Sequence, residues 1–344
     1  MIKISSGLKN ELIEITKHKK RVLLVVGGKS FKILDSNLLL KKVLASGGEY
    51  VIVKKKKDLI SNNDIAEYSL EIKFFMPEII IALGGGSVID LAKLIIYHNY
   101  LNCKNKLKFI VIPTTCGSGS ESTSFAVIYE NGIKNSIQSD LISPDKIVHD
   151  SSLLKFLPKK ALWSSISDSF CQSIESLWSI NSNKISKGHA LKSIRLIVKA
   201  LENIEKLNLK KLLLASYHSG CAINISKTTG PHSFSYFLSY KYSIPHGLAV
   251  LFTMKEFLKI NLKEKDINST FFKNLEGIFK CTEEIFTILD LILEKSDFKF
   301  KLNRDSFKNS LAHINSHRLS NNPVKINRND YMDIYINSLS HHDK

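Results

Sequence analysis

The sequence predicts two domains, a parallel α/β domain over residues 1–155 and an all-helical domain over residues 156–344. The chain has 344 residues, which is more than a single hydrophobic core usually accommodates. Short β-branched runs alternate with helical stretches up to about residue 150, and continuous apolar strands are typical of a parallel sheet covered on both faces. After Pro158 helical periodicity dominates, so we place the boundary between Ser151 and Pro158.

The first half alternates strands and helices in chain order. The predicted strands are Arg21 to Gly28, Tyr50 to Lys54, Glu78 to Gly84, Lys108 to Pro113 and a last one around Ile147 to Asp150; the predicted helices are 37–46, Asn62 to Phe75 and Ser87 to His98. Phe125 to Tyr129 and Ile133 to Ile137 form a predicted hairpin, because the Asn131-Gly132 pair between them accepts the positive φ angles of a tight turn.

The second half is predicted to contain helices only. The clearest are Ala161 to Trp178, Ile185 to Ile204, Lys210 to Ser226 and His246 to Ile260, with weaker segments beyond. The tail after Leu339 is rich in polar residues, and we expect it to be frayed and exposed.

Composition and charge argue against two classes of function, nucleic-acid binding and insertion into a membrane. Lys and Arg number 49 against 32 Asp and Glu, a net charge of +17, yet the lysines are spread over surface segments without a nucleic-acid-binding signature. Such a field attracts an anionic cofactor or substrate. The five widely spaced cysteines form no disulfide framework, and no apolar run is long enough to span a bilayer. We therefore expect a cytoplasmic protein with no nucleic-acid or membrane partner, and a homodimer is a candidate assembly.

Two glycine-rich loops follow neighbouring predicted strands. Gly84-Gly85-Gly86-Ser87 lies where a strand ends and a helix begins, and Pro113 to Glu121 is rich in hydroxyl groups. Glycines there let a phosphate approach the backbone, and the helix N-terminus supplies free N–H groups. The spacing is not G-x-G-x-x-G, and an unliganded tight turn is the alternative. Because loops at adjacent strand ends converge on one crevice, the pair favours a phosphate-bearing cofactor.

A third set of residues has the chemistry of a metal site. Asp168 and Gln172 are four residues apart and share a helix face, and His246 follows His232 by fourteen residues. Oxygen and nitrogen ligands suit a divalent metal such as Fe²⁺ or Zn²⁺. A lone His on an apolar helix is more often a hydrogen-bonded core residue, so the hypothesis depends on these residues lying together.

In order and approximate spacing, these motifs resemble the iron-containing alcohol dehydrogenases of the dehydroquinate-synthase-like superfamily. The resemblance covers about residues 20–335. It implies a Rossmann-like first domain that binds NADPH or NADH, a helical domain that binds the metal, and a substrate between them.

The resemblance also implies roles for individual residues. The cofactor-binding residues would be Gly84, Gly85, Gly86, Ser87, Asp90, Thr114, Thr115 and Ser118, with Lys134 near the nicotinamide.

The metal ligands would be Asp168, His232 and His246, with Gln172 where most members have His. A neutral amide oxygen is a weaker ligand than imidazole, which affects metal affinity and the preference for iron. Tyr236 replaces a His that relays protons in many members, and it would act as a hydrogen-bond donor, with water as the alternative source of the proton.

The segments from Gln172 to Ser179 and from Ala222 to Tyr236 resemble the phosphonoacetaldehyde reductase branch of that family. This branch reduces phosphonoacetaldehyde to 2-hydroxyethylphosphonate. A phosphonate dianion needs a cationic partner, and Lys227 and Lys241 are the basic residues nearest to His232 and His246 in sequence. Either lysine could equally be a surface charge.

The turn Gly27-Gly28-Lys29-Ser30 bears on the choice of nucleotide. It lacks the acidic residue that would bind an adenosine ribose and repel a 2′-phosphate. Gly28, Lys29 and Ser30 are therefore predicted cofactor contacts, and NADPH should be used at least as well as NADH. Lys29 as a solvated loop charge is the alternative.

The sequence thus predicts a metal-dependent aldehyde reductase. The metal would polarise the aldehyde carbonyl and the nicotinamide would deliver a hydride. Three alternatives stay open: a general iron-type alcohol or polyol dehydrogenase, a cyclase of the dehydroquinate-synthase type, and a non-catalytic nucleotide-binding protein with a decayed site.

Overall fold

The computed structural model describes residues 3–6, 21–28, 48–56, 60–103, 107–130, 133–308 and 310–342. The chain forms two compact units. The first consists of Met1–Thr115 and Gly119–Leu157, and the second of Cys116–Ser118 and Pro158–Lys344.

The first unit is built on a parallel sheet, as predicted. Six strands pair in the order β1-β8-β5-β4-β2-β3, and all of these pairs are parallel. The strands are β1 (Lys3–Ser6), β2 (Arg21–Val26), β3 (Glu49–Lys54), β4 (Ile79–Gly84), β5 (Lys108–Pro113) and β8 (Lys146–His149). A separate antiparallel pair consists of β6 (Phe125–Glu130) and β7 (Ile133–Gln138).

Two helices of this unit are described, α1 (Asn62–Lys73) and α2 (Gly86–Cys103). A capping box starts α1, in which the Ser61 hydroxyl accepts from the Asp64 amide and the Asp64 carboxylate accepts from the Ser61 amide. Every residue of β4 is buried, and apolar side chains pack on both faces of the sheet. This two-sided burial explains why the strands are continuous apolar runs rather than alternating ones. The predicted helix at 37–46 lies outside the described residues.

The strand order reverses direction at β2. The chain adds β3 on one side of β2 and then returns to add β4 on the other side. In open parallel sheets, ligands bind at the carboxyl ends of the strands where the order reverses. The carboxyl ends of β2 and β4 carry Gly28 and the Gly84 to Ser87 loop.

Strand β1 was not predicted, because its four residues Lys-Ile-Ser-Ser carry too short a pattern to distinguish a polar edge strand from a loop. The predicted hairpin is confirmed by the antiparallel register that pairs Glu130 with Ile133. Its turn residues Asn131 and Gly132 lie outside the described part of the chain.

The second unit confirms the all-helical prediction, since all strands of the described residues precede Pro158. Its α-helices are α3 (Lys159–Trp178), α4 (Lys184–Leu201), α5 (Leu209–Ser226), α6 (Gly230–Tyr242), α7 (His246–Leu262), α8 (Lys265–Asn274), α9 (Thr282–Lys295), α10 (Ser316–Leu319) and α11 (Tyr331–Ser340). Within the described ranges, no helix combines the length and apolarity that crossing a membrane requires.

The prediction of a frayed, exposed tail after Leu339 is wrong. His341 and His342 are both half-buried against α7. His341 Nε2 lies 3.4 Å from Glu256 Oε2, and His342 Nε2 donates to the carbonyl of Phe252 at 2.9 Å while its ring stacks on the Phe252 ring. The composition of the tail resembles a solvated terminus, but these contacts depend on the packing of α7, which the tail sequence does not encode.

Candidate metal centre and cofactor loops

Helix α3 carries three polar side chains along one buried face. Asp168, Gln172 and Glu175 follow each other at intervals of four and three residues, which places them on the same side of the helix. Each is less than 7% exposed. Buried carboxylates are costly unless they are paired or bind a cation, so this face of α3 requires partners from other helices.

Three potential ligand atoms converge on this face. Asp168, His232 and His246 each offer one atom, and the three atoms lie within 4.8 Å of one another. Asp168 Oδ1 is 3.3 Å from His232 Nε2 and 4.0 Å from His246 Nε2. Donors bound to one ion in a tetrahedral site lie about 3.4 Å apart when the bonds are about 2.1 Å long. The spacing of these atoms therefore fits a divalent metal after a small inward movement of His246.

The start of α7 brings His246 to this face. Gly247, the next residue, packs so closely that a Cβ there would lie 1.9 Å from the carbonyl oxygen of Ser164 and 2.8 Å from the amide nitrogen of Asp168. The Ser167 hydroxyl donates to the Gly247 carbonyl at 2.6 Å. Glycine is thus required for the contact between α7 and α3 that carries His246 toward Asp168.

Glu175, which sequence reasoning missed, contacts the other nitrogen of His232. Its Oε2 bonds Nδ1 of His232, and its Oε1 accepts from the amide of Thr229 at 2.8 Å. Burial would lower the pKa of His232, but the carboxylates of Glu175 and Asp168 outweigh it and raise that pKa to about 10. A signal was present in the sequence: Glu175 is an acidic residue seven positions after Asp168, and this spacing places it on the same helix face.

The Gln172 amide bridges Asp168 and α5. Its nitrogen donates to Asp168 Oδ1 at 2.9 Å, and its oxygen accepts from the Ser219 hydroxyl at 3.1 Å. The nitrogen also lies 3.5 Å from the carbonyl oxygen of Ser118. With the amide oriented in this way, Gln172 orients the Asp168 carboxylate, and its oxygen faces Ser219.

The two glycine-rich loops begin at neighbouring strand ends of the first unit. β4 and β5 are adjacent, and the amide of Thr114 donates to the carbonyl of Gly84 at 3.0 Å. A Cβ on Gly85 would lie 2.9 Å from a methyl carbon of Thr115, so the two loops are in close contact at Gly85. Ser87, at the N-terminus of α2, accepts a hydrogen bond from Lys55 at 2.9 Å. Backbone amides, hydroxyls and a cation therefore gather at one helix N-terminus, an arrangement suited to phosphate.

Two family matches account for both units of the chain. Residues 2–151 match the family described as iron-containing alcohol dehydrogenase, and residues 164–339 match the C-terminal part of the same family. The chain belongs to the iron-containing alcohol dehydrogenase family. It is therefore an oxidoreductase of the alcohol dehydrogenase type.

Individual relatives extend this comparison. The chain is 28% identical over 290 residues to a 4-hydroxybutyrate dehydrogenase of Clostridium kluyveri, which covers 74% of this chain and 77% of that protein. It is 26% identical over 228 residues to a phosphonoacetaldehyde reductase of Streptomyces viridochromogenes, 58% of this chain and 57% of that protein. The solved structure of the iron-containing alcohol dehydrogenase from Thermococcus thioreducens has a TM-score of 0.85 at 20% identity, covers 100% of this chain and 98% of that one, and shows the same fold.

Members of this alcohol dehydrogenase family use a nicotinamide dinucleotide and iron. The residues of this chain fit both groups. One carboxylate oxygen and two imidazole nitrogens converge in the helical unit, a donor set that binds Fe²⁺ and Zn²⁺ in proteins. The bare backbone at Gly85 and the N-terminus of α2 fit a phosphate-bearing cofactor.

Asp90 and Lys93 of this alcohol dehydrogenase connect α2 to the segment after β5. Asp90 accepts from the Ser120 hydroxyl at 2.5 Å and from the Val127 amide at 3.2 Å. Lys93 is fully buried, and its ammonium donates to the carbonyls of Ser120, Thr123 and Phe125. Burial lowers the pKa of Lys93 to about 8, against the raising effect of Asp90 and Glu121. Asp90 thus stabilises the segment after β5 through these hydrogen bonds, in addition to the cofactor role that the resemblance implies.

The candidate substrate residues are distributed around α6. The ring of Tyr236 stacks on the His246 ring at 6.2 Å. Lys227 ends α5 with a positive φ of 59°, and its ammonium donates to the carbonyl of Asn224 at 3.0 Å. Burial and then neighbouring Arg318 lower the pKa of Lys227 to about 8.

Lys241 is exposed in the last turn of α6, over the rings of Phe237 and Tyr242. It lies nine residues after His232, or two and a half helical turns, and therefore on the opposite face of α6. Sequence distance from His246 alone suggested a substrate contact, and the helix geometry does not support one.

The remaining cofactor candidates are only partly described. Gly28 follows β2 and is exposed, whereas Lys29 and Ser30 lie outside the described residues. The backbone of Lys134 pairs with Tyr129 in the antiparallel pair. Ser118 belongs to the helical unit together with Cys116 and Gly117.

Proposed function

We propose that this alcohol dehydrogenase reduces an anionic aldehyde with NADPH or NADH, and that phosphonoacetaldehyde is its substrate, giving 2-hydroxyethylphosphonate. The observation that carries the reductase chemistry is the convergence of Asp168, His232 and His246 on one point. Asp168, His232 and His246 would hold the divalent metal. Gln172 would hold the Asp168 carboxylate in the orientation that ligation needs, through its bond of 2.9 Å.

The bound groups supply the electronic part of the reaction: the metal polarises the aldehyde oxygen and the nicotinamide provides the hydride. The protein residues supply position and a proton. The ring of Tyr236 lies against that of His246, and we assign its hydroxyl as the proton donor to the product oxygen. A tyrosine hydroxyl titrates near pH ~10 and therefore stays protonated at neutral pH.

The cofactor proposal rests on residues at the carboxyl edge of the sheet. Gly84 to Ser87, Thr114 and Thr115 would surround the pyrophosphate, and the Lys55 ammonium beside Ser87 adds a positive charge. Gly28 stands where an acidic residue would repel a 2′-phosphate. These features support use of NADPH at least as well as NADH.

Two cations support an anionic substrate. Lys227 and Arg318 lie close enough for Arg318 to lower the pKa of Lys227, and Lys227 is five residues before the ligand candidate His232. Two neighbouring cations are stabilised by a dianion between them. Two relatives act, by their names, on compounds with an anionic group, 4-hydroxybutyrate and phosphonoacetaldehyde.

The test measures NADPH oxidation with phosphonoacetaldehyde, with 4-oxobutanoate and with uncharged propanal, in the wild type and in Lys227→Met. Phosphonoacetaldehyde should have the highest kcat/KM in the wild type. Lys227→Met should raise the KM for the phosphonate about tenfold and leave propanal unchanged, since the loss of a charge partner penalises only a charged substrate. Lys241→Met is the matched control, because Lys241 lies on the opposite face of α6.

Each alternative gives a different result. Equal efficiency on phosphonoacetaldehyde and propanal would leave a general alcohol dehydrogenase and remove the anionic substrate. Highest efficiency on 4-oxobutanoate would replace the phosphonate by a carboxylate. Nucleotide binding without oxidation of NADPH by any aldehyde would indicate a decayed site, and ring formation without net loss of the cofactor would indicate a cyclase.

A further inference from the structure

We propose that Glu175 is a positioning residue that fixes the tautomer of His232 and thereby sets the affinity for the metal. The inference rests on the metal site of the proposed function. It concerns a residue that contacts a ligand and does not itself face the ion.

The two nitrogens of the His232 ring have different neighbours. Nδ1 bonds Glu175 Oε2, and Nε2 lies 3.3 Å from Asp168 Oδ1, on the side where the ligand atoms converge. A carboxylate can only accept a hydrogen bond, so Glu175 requires the proton on Nδ1. Once a metal ion displaces the second proton of the ring, Nε2 presents its lone pair at the metal position, which is the state that ligation needs.

The other oxygen of Glu175 is held by three donors. Oε1 accepts from the Thr229 amide at 2.8 Å, the Thr229 hydroxyl at 3.0 Å and the His232 amide at 3.4 Å. Thr229 and His232 belong to the first turn of α6 and its cap, so Glu175 also satisfies backbone groups that a helix start leaves without partners. Glu175 is fully buried. One of its oxygens bonds the His232 ring, and the other accepts from the donors at the start of α6.

This asymmetry predicts an unusual effect of Glu175→Gln, a change that keeps the shape of the side chain. The amide oxygen should occupy the place of Oε1, because an amide NH₂ there would face three donors. The NH₂ group then faces Nδ1 of His232 and forces this nitrogen to accept. The proton moves to Nε2, which can no longer bind the ion, while the start of α6 keeps its partner.

The experiment measures Co²⁺ affinity of the whole chain by chelator competition, together with the visible spectrum of the bound Co²⁺. Glu175→Gln should weaken binding by about 10- to 100-fold and alter the spectrum, with little change in Tm. Glu175→Asp keeps the carboxylate and should bind Co²⁺ more tightly than Glu175→Gln. Thr229→Val removes one donor to Oε1 and the partner of Trp178 Nε1, so it should lower Tm without changing the affinity or the spectrum.

Wild-type affinity in Glu175→Gln would overturn the inference. So would equal losses of affinity in Glu175→Gln and Thr229→Val, since that pattern describes a residue that only stabilises the fold. Failure of the wild type to bind Co²⁺ would instead remove the metal site itself, and with it the proposed function.

Discussion

Lys55 is a single residue with a contact that bears on cofactor binding. It follows β3, is half-buried, and donates to the hydroxyl of Ser87 at the N-terminus of α2. Its neighbour Lys56 is exposed and pairs with Glu67 at 2.8 Å. The two adjacent lysines therefore differ in surroundings although their charge is the same.

We expect Lys55→Met to raise the KM for NADPH about fivefold, which corresponds to about 1 kcal/mol, because a positive charge beside the phosphate-binding loop is lost. Lys56→Met is the control and should leave that KM unchanged. Steady-state kinetics at two salt concentrations measure both, and the difference between the variants should shrink at high salt. An equal rise in both variants would mean that only the general positive field matters.

At this scale, sequence reasoning identified the converging residues but not their supports. Sequence reasoning could predict Asp168, His232 and His246, because their residue types and order suggest a metal site. The bond between Glu175 and His232 spans 57 residues and joins α3 to the first turn of α6. The orientation of the Gln172 amide likewise depends on the Ser219 hydroxyl of α5. Contacts between helices are fixed by packing, which no spacing rule contains.

At the scale of elements, the start of α7 sets the geometry of the site. Gly247 allows the first turn of α7 to touch the middle of α3, and the Ser167 hydroxyl closes the contact. The sequence contained this information as the Pro245-His246-Gly247 motif, but the reason for the glycine appears only with the two helices in place. Strand β1 is the opposite case, because four residues with a single apolar side chain gave no periodicity to detect.

Gly247→Ala should lower stability by about 1–3 kcal/mol and weaken Co²⁺ binding as well, because a methyl group would push α7 away from α3 and His246 away from Asp168. Gly188→Ala in α4 is the control: a Cβ there meets nothing within 4 Å, and replacing a helical glycine by alanine should stabilise the chain slightly. Urea unfolding and chelator competition measure the two effects. Normal Co²⁺ affinity in Gly247→Ala would show that His246 does not depend on this contact.

At the scale of the whole molecule, two half-buried histidines make stability dependent on pH. Burial lowers the pKa of His149, at the end of β8, to about 4. Burial is also the main cause that lowers the pKa of His342, on the α7 surface, to about 4. An unfolded histidine titrates near ~6.5. Between these values the unfolded chain binds protons that the folded chain does not, so the free energy of unfolding decreases as the pH falls from about 6.5 through about 4.

We expect His342→Phe to weaken this dependence. The phenyl ring keeps the stacking on Phe252 and removes the titrating group, at the cost of one hydrogen bond to the Phe252 carbonyl. Urea midpoints at pH 7, 6, 5 and 4.5 should fall less steeply in the variant than in the wild type. Parallel pH profiles would contradict the assignment of His342 as a contributor.

The three residues Cys116, Gly117 and Ser118 are grouped with the helical unit, although the chain on either side of them belongs to the sheet unit. A Cβ on Gly117 would lie 2.8 Å from Ser165 of α3, so this short stretch packs against α3. The polypeptide therefore passes from one unit to the other three times rather than once. A fragment that begins at Pro158 would lack these three residues of the helical unit, so a single cut in the chain does not separate the two units.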